Sequence, residues 1–131
     1  MNSKSKGDVA ELKVMQYLIE HDYTVLKPFG DNSRYDIVSE KNGEFERIQV
    51  KYRTMDNGGI GIQRFSTTRN NKKVRYTQTE IDCIIVYCPD NDSIYKLNIC
   101  VFDNKSEIFL RIKDAKNKQK KNIINAIDYI L

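Results

Sequence analysis

The chain has 131 residues, 40% hydrophobic and 31% charged, which is enough to bury a core and too apolar for an unstructured tail. Its 22 basic against 18 acidic residues leave a net charge of +4, which suits local basic patches facing a polyanion rather than a uniform basic coat. Cys83, Cys88 and Cys100 lie in or beside apolar runs without CxxC spacing, MNSKSKGD carries no apolar leader, and no stretch has membrane-span length. The expectation is therefore a single cytoplasmic domain over residues 1–131, with no structural zinc and no membrane partner.

The first predicted element is a helix from about Gly7 to His21, because Val9, Ala10, Leu12, Val14, Met15, Tyr17, Leu18 and Ile19 form a broad apolar stripe at helical spacing. Glu11 falls inside that stripe, beside Val14, Met15 and Leu18. A carboxylate there is costly unless it is paired or binds a metal. Gly7, one turn earlier, leaves room for a close approach of backbone or substrate. Thr24-Val25-Leu26 starts a short extended segment that Pro28 stops.

Tyr35 to Val38 and Phe45 to Tyr52 read as strands around Asn42-Gly43, the preferred type I′ hairpin turn because both central residues take positive φ. A third extended region follows at Gly58, Gly59 and Gly61; no Gly-Lys-Ser/Thr succeeds it, so it is not a phosphate loop. Asp82 to Tyr87 reads as a buried strand, Pro89 to Asp92 as a turn, and Ser93 to Ile99 as the returning strand. A short strand near Ile108-Phe109-Leu110 precedes a C-terminal helix, with Ile123, Ile127 and Ile130 on one face. This order predicts an α/β (α+β) domain around a mixed sheet.

The hairpin fixes a register. If Lys41 pairs with Glu44, Asp36 opposes Gln49, with Cα atoms about 4.5–5.5 Å apart and side chains on one face. Gln49 and Lys51 then share that face, while Ile48, Val50 and Tyr52 point to the other. A bulge would shift this pairing by one residue. The expected site is Glu11, Asp36, Gln49 and Lys51. Hard divalent cations such as Mg²⁺ take oxygen ligands, which Asp36, the Gln49 amide oxygen and Glu11 can supply. Lys51 can orient a water or stabilise phosphate oxyanions, so the set points to metal-assisted phosphodiester hydrolysis.

Residues 63–75 are rich in bases and amides, with almost no acid. A two-stranded ribbon fits the major groove, where Arg, Asn and Gln read base edges. We therefore expect a DNA-reading hairpin at about residues 59–76, with Gln63, Arg64, Arg69, Lys72, Lys73 and Arg75 as DNA contacts and Arg53 beside them. The lysine-dense run from Lys113 to Lys121 reads as a solvated face. The single histidine, His21, reads as surface structure and argues against an HNH-type nuclease.

Three ordered segments, Gly7-Asp8-Val9-Ala10-Glu11, Asn32-Ser33-Arg34-Tyr35-Asp36 and Gln49-Val50-Lys51, together resemble the PD-(D/E)XK nuclease superfamily. Within it they are most similar to small group I intron-encoded homing endonucleases, which carry Gln in place of the second acid. Tyr76-Thr77, Glu80-Ile81-Asp82 and Val86-Tyr87-Cys88-Pro89-Asp90 extend the likeness over roughly residues 7–95. The resemblance implies an αβββαβ core with flanking helices, and sequence-specific cleavage of double-stranded DNA that depends on Mg²⁺, with Mn²⁺ as a substitute. It also implies a homodimer or homotetramer. No Pro precedes Asp36, and Gln49 departs from the superfamily's acid. A Holliday-junction resolvase would use the same site logic, and a DNA-binding module without chemistry is the non-enzymatic alternative. The base-reading stretch favours the homing type.

Overall fold

The computed structural model describes residues 1–68, 70–113 and 123–131. Helix α1 spans Ser3–Glu20 and starts earlier than its apolar stripe, because the Asn2 side chain caps it by accepting the Ser5 N–H at 2.8 Å. It ends where the His21 N–H turns back onto the Tyr17 and Leu18 carbonyls and Asp22 takes a left-handed φ of 68°. Ala10, Val14 and Leu18, each four apart, are its buried ridge.

Strands β1 (Thr24–Leu26), β2 (Ile37–Lys41) and β3 (Glu44–Tyr52) follow. Asn42 and Gly43 both take positive φ, 55° and 82°, and Lys41 pairs with Glu44 as the turn requires. The chain then runs through β4 (Gly59–Gln63), β5 (Phe65–Thr67) and β6 (Lys73–Arg75) before β7 (Cys83–Cys88) and β8 (Ser93–Asn98). The main sheet has the order β1-β2-β3-β7-β8, antiparallel except for the parallel β3–β7 pair. Strand β9 (Glu107–Arg111) lies between β4 and β10 (Ile124–Asn125) in a second, three-stranded sheet.

The main sheet is covered on both faces, which explains the unbroken burial of β7. On one face Ile48, Val50, Cys83, Ile85 and Tyr87 meet Ala10, Val14 and Leu18 of α1. On the other, Ile84, Val86 and Leu97 meet Ile60 and Ile62 of β4 and Ile108 and Leu110 of β9. The alternation expected in β3 is thus present: Ile48 and Val50 face the helix, and Gln49 and Lys51 lie on the opposite face.

Three expectations differ in detail. Strand β4 pairs with β9, so the two-stranded hairpin is confined to β5 and β6 rather than spanning about 59–76. Among the described residues no second α-helix follows β3; β4, the β5–β6 hairpin and a turn at residues 77–80 make the parallel crossover instead. At the C-terminus Ile124 and Asn125 pair in parallel with Leu110 and Arg111, and a 3₁₀ turn at Ala126–Tyr129 follows. Ile123, Ile127 and Ile130 therefore share no helical face there: edge pairing captures the segment, and Ile127 is left exposed. Arg69 and residues 114–122, including most of the Lys113 to Lys121 run, lie outside the described residues. No helix among the described residues is long and apolar enough to cross a membrane.

Candidate active site

Asp36 sits one residue before β2, where the ladder changes register. Pairing holds to Ile37↔Ile48, but the Asp36 N–H also goes to the Ile48 carbonyl, at 2.8 Å, so two residues of one strand oppose one of the other. That is a β-bulge, and it corrects the expected Asp36–Gln49 pairing. The Asp36 carboxylate fills the gap by accepting the Val50 N–H at 2.9 Å. Gln49 is left between the two residues that Asp36 holds, and its amide nitrogen is 3.4 Å from the Val50 carbonyl.

The bulge leaves Asp36 open to charges on both sides of the sheet. From the helix side comes Glu11, which is ion-paired to Lys27, just beyond β1. Glu11, Lys27, Pro28, Gly30, Tyr35 and Asp36 are among the residues lining a cleft of about 220 Å³. From the opposite side comes Lys51, whose ammonium lies 3.4 Å from the Phe65 carbonyl and 5.6 Å from the centre of the Tyr76 ring.

Burial raises the Asp36 carboxyl above its ordinary range, and the charge of Glu11 raises it further; the Val50 N–H, Lys27 and Lys51 oppose this. Burial likewise pushes Lys51 down to about 8, with Arg53 and Arg34 adding repulsion and Asp36 opposing it. An acid that resists ionising and a lysine that resists protonation, each within reach of the other's charge, are the kind of perturbed pair that functional sites assemble.

Arg34 joins the hairpin to this site, and sequence reasoning singled it out only as part of a motif. Its guanidinium donates to Ser66 Oγ at 2.9 Å and to the Val74 and Arg75 carbonyls at 3.1 and 3.0 Å. It also stacks 4.3 Å from the Tyr76 ring centre, and its Nε makes an ionic contact with Glu80 at 3.2 Å that lacks hydrogen-bond geometry. The one available signal was a basic residue two positions before the key acid.

Several expected DNA contacts are tied into the protein. Arg53 donates twice to the Gln63 amide oxygen, at 3.1 and 2.8 Å. Arg64 binds the Tyr76 and Asp103 carbonyls, and Arg75 binds Ser106 Oγ and the Asn104 carbonyl. Lys72 and Lys73 are exposed on the hairpin, with Lys73 lying 4.8 Å over the Phe65 ring. Arg69 is outside the described residues. A Cβ on Gly7 would meet nothing within 4 Å, so no backbone packs closely there.

Comparison with known proteins places this geometry in context. A family model described as PD-(D/E)XK endonuclease matches residues 1–131. A solved structure of a bacterial homing endonuclease, I-Ssp6803I, is similar with a TM-score of 0.80 and 25% identity, covering 99% of this chain and 89% of that one. A UPF0102 protein of Fusobacterium nucleatum is 35% identical over 65 residues, 48% of this chain; the match spans 55% of that relative's length.

Proposed function

The chain belongs to the PD-(D/E)XK endonuclease family, and on that premise we propose that it is a Mg²⁺-dependent endonuclease of the homing type, hydrolysing phosphodiester bonds of double-stranded DNA. The observation that carries this reading is the place of Asp36: its carboxylate is held by the Val50 N–H next to Lys51, shares a cleft with Glu11, and feels the charges of both Glu11 and Lys51, a lysine lowered to about 8.

The donor set fits a hard cation. Glu11 and Asp36 are two carboxyls lining one cleft, the first raising the pKa of the second, and Gln49, next to the Val50 N–H that Asp36 accepts, would add a neutral amide. Mg²⁺ is typically held by one or two carboxylates plus waters and substrate oxygens, and no larger His, Cys, Asp or Glu cluster exists among the described residues. In our reading Asp36 and Glu11 would hold the ion, with Gln49 as the neutral ligand and Mn²⁺ as a substitute. Bound there, it would acidify a water and offset charge on the phosphate.

The chain's own groups supply the rest. Lys51 orients the attacking water and stabilises the phosphate oxyanions, and its low pKa lets it exchange a proton near neutral pH. Lys27 balances Glu11 while no cation is present. The β5–β6 hairpin enters the major groove, with Lys72, Lys73 and Arg69 meeting DNA, while Arg53, Gln63, Arg64 and Arg75 brace its base. One chain offers one such site, so cutting both strands calls for a symmetric homodimer or homotetramer.

The test is incubation with linear duplex, a four-way junction and the protein's own locus, with and without Mg²⁺. We expect Mg²⁺-dependent cutting of duplex, lost in Asp36→Asn while DNA is still bound. Cutting confined to the junction would make the protein a resolvase. Specific binding without cutting in Mg²⁺ or Mn²⁺ would make it an inactive DNA-binding module.

A further inference from the structure

We propose that Phe29 is a minor-groove contact, inserting its ring against the base step beside the scissile phosphate. The proposal rests on the reading of the protein as a duplex-DNA endonuclease.

Phe29 is 107% exposed, the most exposed large hydrophobic side chain among the described residues. Leaving a phenyl ring in water forgoes a large burial, since such a ring covers about 150–250 Å² when buried. The local backbone holds it out. Pro28 on one side fixes its own φ, and Gly30 on the other takes a left-handed φ of 80° with nothing within 4 Å of a Cβ built on it. Both neighbours line the Asp36 cleft, so the ring stands on the lip of the site.

The side on which it stands matters. Lys51, the Phe65 carbonyl and Tyr76 approach Asp36 from the hairpin face of the sheet. The lip carrying Phe29 belongs to the other side, tied by Lys27 to Glu11 on α1. If the hairpin fills the major groove and Asp36 meets a phosphate, the groove across that phosphate strand is the minor groove. Residues 27–31 then lie over it. Apolar side chains that enter the minor groove wedge between base steps and unstack them. Such a wedge kinks the duplex toward its major groove, the side the hairpin would occupy, and Lys27 beside it would meet the adjoining phosphates.

The chain contains no tryptophan, so Phe29→Trp creates a single fluorescent reporter at the lip. Titration uses a mixed-sequence duplex of about three helical turns in EDTA, where cutting is blocked. We expect the indole emission of the Phe29→Trp protein to be quenched on binding. Pre-filling an A·T-rich duplex with netropsin should abolish that quench. Phe29→Ala should bind about tenfold more weakly with an unchanged melting temperature, because the ring packs on nothing in the protein. The inference is overturned if wild type binds but Phe29→Ala binds equally well and the indole emission of Phe29→Trp ignores the duplex. It is also overturned if Phe29→Ala changes only the oligomeric state on size-exclusion chromatography, which would make Phe29 a contact between copies of the chain. If wild type binds no duplex at all, the endonuclease reading itself falls, and this inference with it.

Discussion

Lys27 holds Glu11 in an ion pair at the lip of the cleft that contains Asp36. Glu11 raises the Asp36 carboxyl and Lys27 lowers it, so the ammonium offsets negative charge where two carboxyls would otherwise repel. A cation bound by Glu11 has to displace it. We expect Lys27→Ala to bind Mg²⁺ several-fold more tightly by calorimetric titration. In EDTA the variant should lose at most about 1 kcal/mol of stability, because Lys27 is half exposed and the pair is solvent-screened. Unchanged Mg²⁺ affinity would show that lysine and metal do not compete.

Lys51 gives a pH signature. Its folded pKa of about 8 lies below the ordinary 10.5, so the unfolded chain binds its proton more tightly. Stability of the metal-free protein should therefore rise as pH climbs from about 8 toward 10.5, and the charged lysine costs the fold on the order of 3 kcal/mol below that window. Lys51→Met removes the charge and keeps the stem. It should be more stable than wild type at pH 7, lose this rise with pH, and not cleave DNA. A variant less stable than wild type at pH 7 would mean that Lys51 is not strained in the fold.

The β2–β3 hairpin was legible because Asn42-Gly43 dictates its turn chemistry, and the two faces of β3 followed from period-two alternation. The bulge at Asp36 was not legible. It depends on the carboxylate finding the Val50 amide, a contact that no local spacing encodes. Glu11 stood out as a charge in an apolar stripe, yet its partner Lys27 is sixteen residues away and appears only on folding. Arg53, Gln63 and Arg64 read as groove contacts by composition alone. Their long side chains suit bracing carbonyls and amides as well as reading bases, and the pairing of Arg53 with Gln63 and of Arg64 with the Tyr76 carbonyl is a tertiary contact that composition does not encode. The C-terminal isoleucines misled for a related reason: spacings of four and three suit a helix, but a free edge at β9 took the segment.

Arg34, two residues before Asp36, fastens the hairpin to this part of the chain through Ser66, Val74 and Arg75. A two-stranded hairpin is marginal alone, so this anchor should govern local rather than global stability. For Arg34→Gln we expect amide exchange in β5 and β6 to accelerate at least about tenfold, while β3 and β7 amides stay protected. Because Arg34 also repels the Lys51 ammonium, the Lys51 pKa should move up toward its ordinary value. Hairpin exchange at the wild-type rate would remove Arg34 from this role.

The exposed and the braced cations should behave differently. Neutralising Lys72 and Lys73 to Gln should leave the melting temperature unchanged. It should also make the salt dependence of duplex binding shallower, by about one unit of slope for each phosphate that no longer meets a cation. Arg64→Gln should instead lower stability by about 1–3 kcal/mol, because the Tyr76 and Asp103 carbonyls lose a charged donor. If Arg64→Gln melts like wild type and weakens DNA binding, its role is at the groove after all.

Gln49 is the residue that Asp36 brackets, through the Ile48 carbonyl on one side and the Val50 amide on the other. Replacing it tests whether its oxygen belongs to a cation site. Gln49→Glu adds a third carboxyl near two that already repel, so Asp36 should be raised further and the metal-free fold weakened. The same charge should tighten Mg²⁺, since a hard cation gains an anionic ligand. Gln49→Leu has neither oxygen nor charge; it should be as stable as wild type in EDTA and bind Mg²⁺ more weakly. A ligand that binds only the folded state stabilises it in proportion to the logarithm of its occupancy, so the readout is the melting temperature in Mg²⁺ minus that in EDTA. We expect that difference to be largest for Gln49→Glu, intermediate for wild type and smallest for Gln49→Leu. Equal differences in all three proteins would show that Gln49 does not contribute to metal binding.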